Sequence, residues 1–265
     1  MRARRCPVRV VIEPNPEAAA AFAAAWVAEE IRRKQGSVLA LAAGATMVPV
    51  YAAIAKEHAQ RAVPFDRCRV FDLDEYVGLG PGDTRSLRHF VSNHLCAPVG
   101  IPDSAHDAPD GLATDLEAEC VRYEAAIAQA GGIDLAVLGL GRNGHLAFNE
   151  PGSSLAGRTR VEVLMRVDLG DDGTRPPLPR VAITMGVGTI LAARACLVVA
   201  FGFEKERAAS EMIEGPVTSI VLASALQLHP NTTVVLDDSA AALLVNAAHY
   251  REAETLRREM QRKPR

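Results

Sequence analysis

A chain of 265 residues that is 49% hydrophobic but only 5% aromatic, with a net charge of −3, has apolar content for one large domain or two small ones, and no basic excess to make nucleic acid its main partner. The five cysteines (Cys6, Cys68, Cys96, Cys120, Cys196) are odd in number and form no CxxC pair, which argues against a disulfide framework or a zinc knuckle and reads as reduced thiols. The basic start Met1–Arg5 precedes only the short run VRVVIE, too little for a signal peptide or a spanning helix, so a cytoplasmic protein without a membrane partner is expected.

Short β-branched runs alternate with longer Ala-rich stretches, the pattern of βαβ units around a mostly parallel sheet. In chain order the predicted strands are Val8 to Glu13, Ser37 to Ala42, Cys68 to Leu73, Ile133 to Leu138, Val181 to Thr184, Cys196 to Phe201 and Thr233 to Leu236. Between the first two, Asn15 is placed to cap a helix with Pro16 at its first position, continuing to about Lys34. Asp115 to Ala130 reads as another helix, stopped by Gly131 and Gly132. From Arg251 the composition shifts to six basic and three acidic residues in the last fifteen, which reads as an exposed, fraying helix. The expected fold is a single three-layer α/β domain, doubly wound, with its site beyond the carboxyl ends of the strands. The informative loops then follow Ala42, Leu73, Leu138 and Phe201.

Three segments in those loops carry chemistry. The turn Ala43, Gly44, Ala45, Thr46 feeds a helix, so its amides can converge on an anion, although an ordinary βα turn has the same spacing. In FDLDEY, Asp72 and Asp74 share a face if the strand persists, with Glu75 on the other; like charges that close raise a carboxyl pKa, which suits a proton-transferring base, and a solvated strand end is the plainer alternative. In LGLGRNGHLAFNEPGSS, His145 and Glu150 follow a glycine-rich strand end, where the carboxylate can orient the ring. Gly139 to Gly144 also spell GxGxxG, but a dinucleotide site needs a helix at the third glycine, and Pro151 and Gly152 interrupt within a few residues. The other histidines show no metal spacing, so no catalytic metal is expected.

FDLDEYVGL, GGIDLAVLGLGRNGHLAFNEPGSSLAGRTR, TMGVGTILAARA and SALQLHPNTTVVLDD together resemble the ordered motifs of glucosamine-6-phosphate deaminases, over about Val8 to Leu244. The resemblance implies a Rossmann-like sheet in a domain spanning 1–250, with 251–265 a charged tail. It also implies conversion of glucosamine 6-phosphate, or a related amino sugar phosphate, to fructose 6-phosphate and ammonia, without a cofactor. Carried over by motif, Asp74 is the base between C2 and C1 of the open-chain sugar, and His145 assists ring opening with Glu150 in its relay. Ala43 to Thr46 and Lys205, from GFEKERA, hold the phosphate. The oligomeric state stays open, a homo-oligomer included.

The departures from the family pattern bear on the substrate. Asn143 stands where an aspartate normally precedes the GH pair, Ala43 replaces a hydroxyl residue, Met47 replaces a proline, and DTRSL at Asp83 to Leu87 replaces an HPxSY-like segment. The stretch that normally brings a phosphate-binding arginine is shortened to LGDDGTRPPLPR, with Arg175 the nearest candidate. Activated members bind an N-acetylated sugar phosphate near the RTR motif. Here Ser153, Ser154 and Arg160 are present, but Glu162 replaces a lysine, so no activation by N-acetylglucosamine 6-phosphate is expected. A 6-phosphogluconolactonase-like hydrolase and a non-catalytic sugar-phosphate binder are the rival readings.

Overall fold

The computed structural model describes residues 8–164 and 178–262. Its strands are β1 (Val8–Glu13), β2 (Val38–Leu41), β3 (Arg69–Asp72), β4 (Asp74–Tyr76), β5 (His106–Asp107), β6 (Leu135–Gly139), β7 (Arg160–Val163), β8 (Val181–Thr184), β9 (Ala195–Ala200) and β10 (Thr232–Asp237). Its helices are α1 (Pro16–Arg33), α2 (Met47–Arg61), α3 (Leu87–Val91), α4 (Leu116–Gln129), α5 (Val187–Leu191), α6 (Glu206–Glu214) and α7 (Ala247–Arg262).

The helix starts are local. Asn15 Oδ1 accepts from the Ala18 N–H at 2.8 Å, with Pro16 at the first helical position of α1, and Asp115 caps α4 by accepting from Ala118 N–H at 3.0 Å. The buried face of α1, Ala19, Ala20, Ala23, Ala24, Val27, Ala28 and Ile31, is mostly alanine, which lets the helix lie close against its neighbours. Seven strands form a parallel sheet in the order β1-β10-β9-β6-β2-β3-β5. β2, β9 and β10 are buried at every residue, as strands covered by helices on both faces must be. The fold is therefore the expected single α/β domain, mostly parallel and doubly wound.

One predicted strand belongs elsewhere. Val181–Thr184 (β8) is the centre of a second, antiparallel sheet ordered β4-β8-β7, and the edge of the main sheet is the two-residue β5 instead. A two-residue strand offers no periodicity to read, and an apolar run does not say which sheet it joins. The sheets meet at Leu73, whose N–H donates to Leu41 O at 3.1 Å while its C=O accepts from Met185 N–H at 2.7 Å. Asp72 and Asp74 thus end one strand and begin another, rather than sharing a face of one strand.

The C-terminal segment is docked rather than loose. Glu254 on α7 is buried and accepts from Arg9 on β1 at 2.6 and 2.9 Å, and Arg258 reaches Glu13 at 2.6 Å. Among the described residues no helix is long and apolar enough to cross a membrane.

Candidate active site

The loops that follow β9, β6, β2 and β3 come from four successive strands of the main sheet. After β2, the chain turns through Ala43, Gly44, Ala45 and Thr46 into α2. Gly44 takes φ +124, which an L side chain rarely adopts, and the turn closes by Met47 N–H on Gly44 O at 2.9 Å. None of the four N–H groups from Ala43 to Thr46 donates to a backbone carbonyl among the described residues. They stand at the start of a fifteen-residue helix, where orphan amides and the helix dipole favour an anion.

Asp74 begins β4, directly across from Thr184 on β8. The Thr184 hydroxyl donates to Asp74 Oδ1 at 2.5 Å and the Phe148 N–H donates to the same oxygen at 3.0 Å. Burial pushes the Asp74 carboxyl up to about 7; these two bonds hold it down in part, and Asp72 and Glu75 push it further up. Enclosure is thus the first cause and like charge a lesser one. Asp72 has its own partner: His106 Nε2 lies 2.9 and 3.0 Å from its two oxygens, fully buried. Glu75 accepts from Ser86 Oγ at 2.5 Å and from the N–H groups of Leu87 and Arg88 at 3.1 Å. It fixes the DTRSL segment at the start of α3.

After β6 the glycines serve a histidine. A Cβ on Gly141 would lie 2.3 Å from the His145 ring, so glycine is what lets the imidazole lie over this turn. No helix opens at Gly144, so the dinucleotide fingerprint lacks its required context. His145 Nδ1 is 3.6 Å from Glu150 Oε1. Asn143 touches neither ring nitrogen: its Oδ1 accepts from the His145 main-chain N–H and its Nδ2 donates to Glu150 Oε2, both at 3.1 Å. Because the Phe148 N–H from this loop donates to Asp74, the Asp74 carboxyl and the His145–Glu150 pair are brought together by one loop.

Residues 14–235 match the family model described as glucosamine-6-phosphate isomerases/6-phosphogluconolactonase. The chain belongs to this family. It is 43% identical over 249 residues to a glucosamine-6-phosphate deaminase of Arthrobacter sp. (strain FB24), covering 92% of this chain and 95% of that protein. It is 41% identical over 257 residues to one from Hahella chejuensis, covering 94% and 98%. The structure of a monomeric glucosamine-6-phosphate deaminase superposes with a TM-score of 0.85 at 35% identity, covering 89% of this chain and 99% of that one. A 6-phosphogluconolactonase from Trypanosoma cruzi gives 0.74 at 20% identity, covering 92% and 100%, a likeness of fold alone.

Within this member of the glucosamine-6-phosphate isomerase family, Lys205 ends a 3-10 turn (Phe203–Lys205) after β9. It is part-buried, and burial lowers its pKa from the usual lysine value, with Glu204 opposing and Arg142 adding to the effect. Arg142, from the loop after β6, donates to Glu204 at 2.5 Å, so the Lys205 turn lies against the His145 loop. Arg175 lies outside the described residues. Thr184, the Phe148 N–H, His106 and Asn149 escaped sequence reading. Thr184 and Asn149 lie inside quoted motifs, but nothing local shows that Thr184 faces a carboxylate 110 positions away.

Proposed function

We propose that the protein converts glucosamine 6-phosphate to fructose 6-phosphate and ammonia, an aldose-ketose isomerisation coupled to deamination. The observation that carries this reading is Asp74: a buried carboxyl raised to about 7, held on one oxygen by Thr184 and Phe148, so that its other oxygen is left for a substrate carbon. A base poised near neutrality transfers protons best in both directions. Asp74 takes the proton from C2 of the open-chain sugar and returns it to C1. The C2 imine so formed is hydrolysed by water to the ketone and ammonia. His145, with Glu150 at 3.6 Å, moves the proton that opens the ring, and Asn143 keeps Glu150 turned toward it.

The phosphate is assigned to the amides of Ala43, Gly44, Ala45 and Thr46 and to Lys205. A dianion beside Lys205 restores the charge that burial disfavours. The chemistry lies within 1–250, and the charged stretch 251–265 contributes none of it. Four buried free thiols, Cys68, Cys96, Cys120 and Cys196, suit a reducing cytoplasm. N-acetylglucosamine 6-phosphate should not activate, because Arg160 is already engaged by Asn149 at 2.6 Å, Ser153 at 2.9 Å and Glu162 at 2.5 Å, and the Glu162 carboxylate would repel a phosphate. Rate curves that become steeper or less sigmoidal on adding that compound would contradict this.

The deciding experiment supplies glucosamine 6-phosphate and 6-phosphogluconolactone in parallel and follows ammonia, ketose phosphate and acid release. Ammonia and fructose 6-phosphate in equal amounts are expected. Lactone opening without ammonia, or tight binding of the amino sugar phosphate without turnover, would overturn the proposal.

A further inference from the structure

Residues 145–150 bring three groups to the reaction proposed above: the His145 imidazole, the Phe148 N–H on Asp74 and the Glu150 carboxylate. Their backbone is not relaxed. Ala147 takes φ +54, a region that L side chains avoid because Cβ crowds the following carbonyl, and such a conformer persists only where its surroundings over-determine it. Asn149, fully buried, supplies that determination. Its Nδ2 donates to Leu146 O and to Met185 O at 2.8 Å each, and its own N–H donates to Leu146 O at 3.1 Å. Its Oδ1 accepts from Arg160 at 2.6 Å. Two carbonyls on one side and a guanidinium on the other fix the sense of the amide, since a flip would lose all three bonds.

Arg160 is in turn held on β7 by Ser153 and Glu162, and it stands across from Thr184, the residue that donates to Asp74. Glu124 clamps the adjacent Thr159 through its N–H at 2.9 Å and its hydroxyl at 2.6 Å. We propose that Arg160 is a positioning residue: by fixing Asn149 it holds the strained 145–150 loop in its reactive geometry without touching the substrate. This rests on the deaminase reading for its kinetic consequence, but the loop-holding role is testable apart from it.

The test uses the full chain carrying Arg160→Met, Arg160→Lys, Ala147→Gly, and Arg160→Met with Ala147→Gly. kcat and KM on glucosamine 6-phosphate are measured by ammonia release, and thermal melts are recorded for each. Arg160→Met should lower kcat by about 10- to 100-fold while KM stays within about threefold, because misplacement of reacting groups acts on the chemical step. Arg160→Lys should keep part of the rate, and carries the same kcat and KM comparison if Arg160→Met does not fold. Adding Ala147→Gly to Arg160→Met should recover kcat by about fivefold, since glycine enters the left-handed region freely. It should also raise the melting temperature more in the Arg160→Met background than in the parent. Folded Arg160 variants with parental kcat, or melts in which the two substitutions act independently, would overturn the proposal. A parent that releases no ammonia would overturn only the reaction, and the melts would still decide the loop-holding role.

Discussion

Replacing Asp74 by asparagine should destroy activity and stabilise the fold, and the gain should depend on pH in a defined direction. In the unfolded chain the Asp74 carboxyl titrates near its ordinary value of 3.8, whereas in the native protein burial lifts it to about 7. Between those values the native state holds a proton that the unfolded state lacks, so this contribution favours folding at low pH and is lost as pH rises through the folded pKa. At pH 8, ionised Asp74 costs the native state about 4 kcal/mol relative to the unfolded chain. Asparagine does not titrate and keeps an oxygen for Thr184 and Phe148, but it must bury an amide nitrogen at about 1–3 kcal/mol. The net gain is about 1–3 kcal/mol at pH 8, or roughly 2–10 °C in Tm for a chain of this size, shrinking to nothing or reversing toward pH 5. Melts of parent and variant from about pH 5 to about pH 9 measure it, with ammonia release alongside, where kcat should fall about 10²–10⁴-fold. A Tm difference that is constant with pH, or that grows toward acid, would refute the burial argument; near-parental turnover would remove Asp74 as the base.

The remaining predictions test its neighbours. Gly141→Ala puts a methyl 2.3 Å from the His145 ring, so kcat should fall by about 10- to 100-fold with KM little changed, and an unaltered kcat would show the ring free to move aside. Asn143→Asp replaces the amide that donates to Glu150 at 3.1 Å with a second carboxylate, which favours a protonated His145. The alkaline limb of kcat should move to higher pH, and an unmoved profile would contradict the role given to Asn143. Lys205→Ala should raise KM for the sugar phosphate by about tenfold or more with a smaller loss in kcat, because a phosphate contact made throughout the reaction is mostly uniform binding. An unchanged KM would take Lys205 out of the site.

Much of this was readable along the chain because it is local. Alternation of β-branched and Ala-rich runs placed six strands of the main sheet to within a residue or two, and short-range chemistry set the helix starts at Asn15 and Asp115. The order of the motifs carried the family, and the strand-end rule named the loops that hold Asp74, His145 and Lys205. What only the tertiary structure decided is how those loops are joined. The break at Leu73 depends on two hydrogen bonds to strands of different sheets, and neither partner is visible from FDLDEY itself. Thr184 became a partner of Asp74 because β8 left the main sheet for the second one. Asp72, read from sequence as a like-charged neighbour, does push Asp74 up, but it is also matched by His106 on a strand too short to show a pattern. The carboxyl of Asp74 titrates high chiefly because residues distant in sequence close around it and exclude water, and desolvation belongs to the whole enclosure rather than to any stretch of chain. Backbone propensity and capping act over a few residues and are written there; register between distant strands and the dryness of a site are settled only when the sheets close.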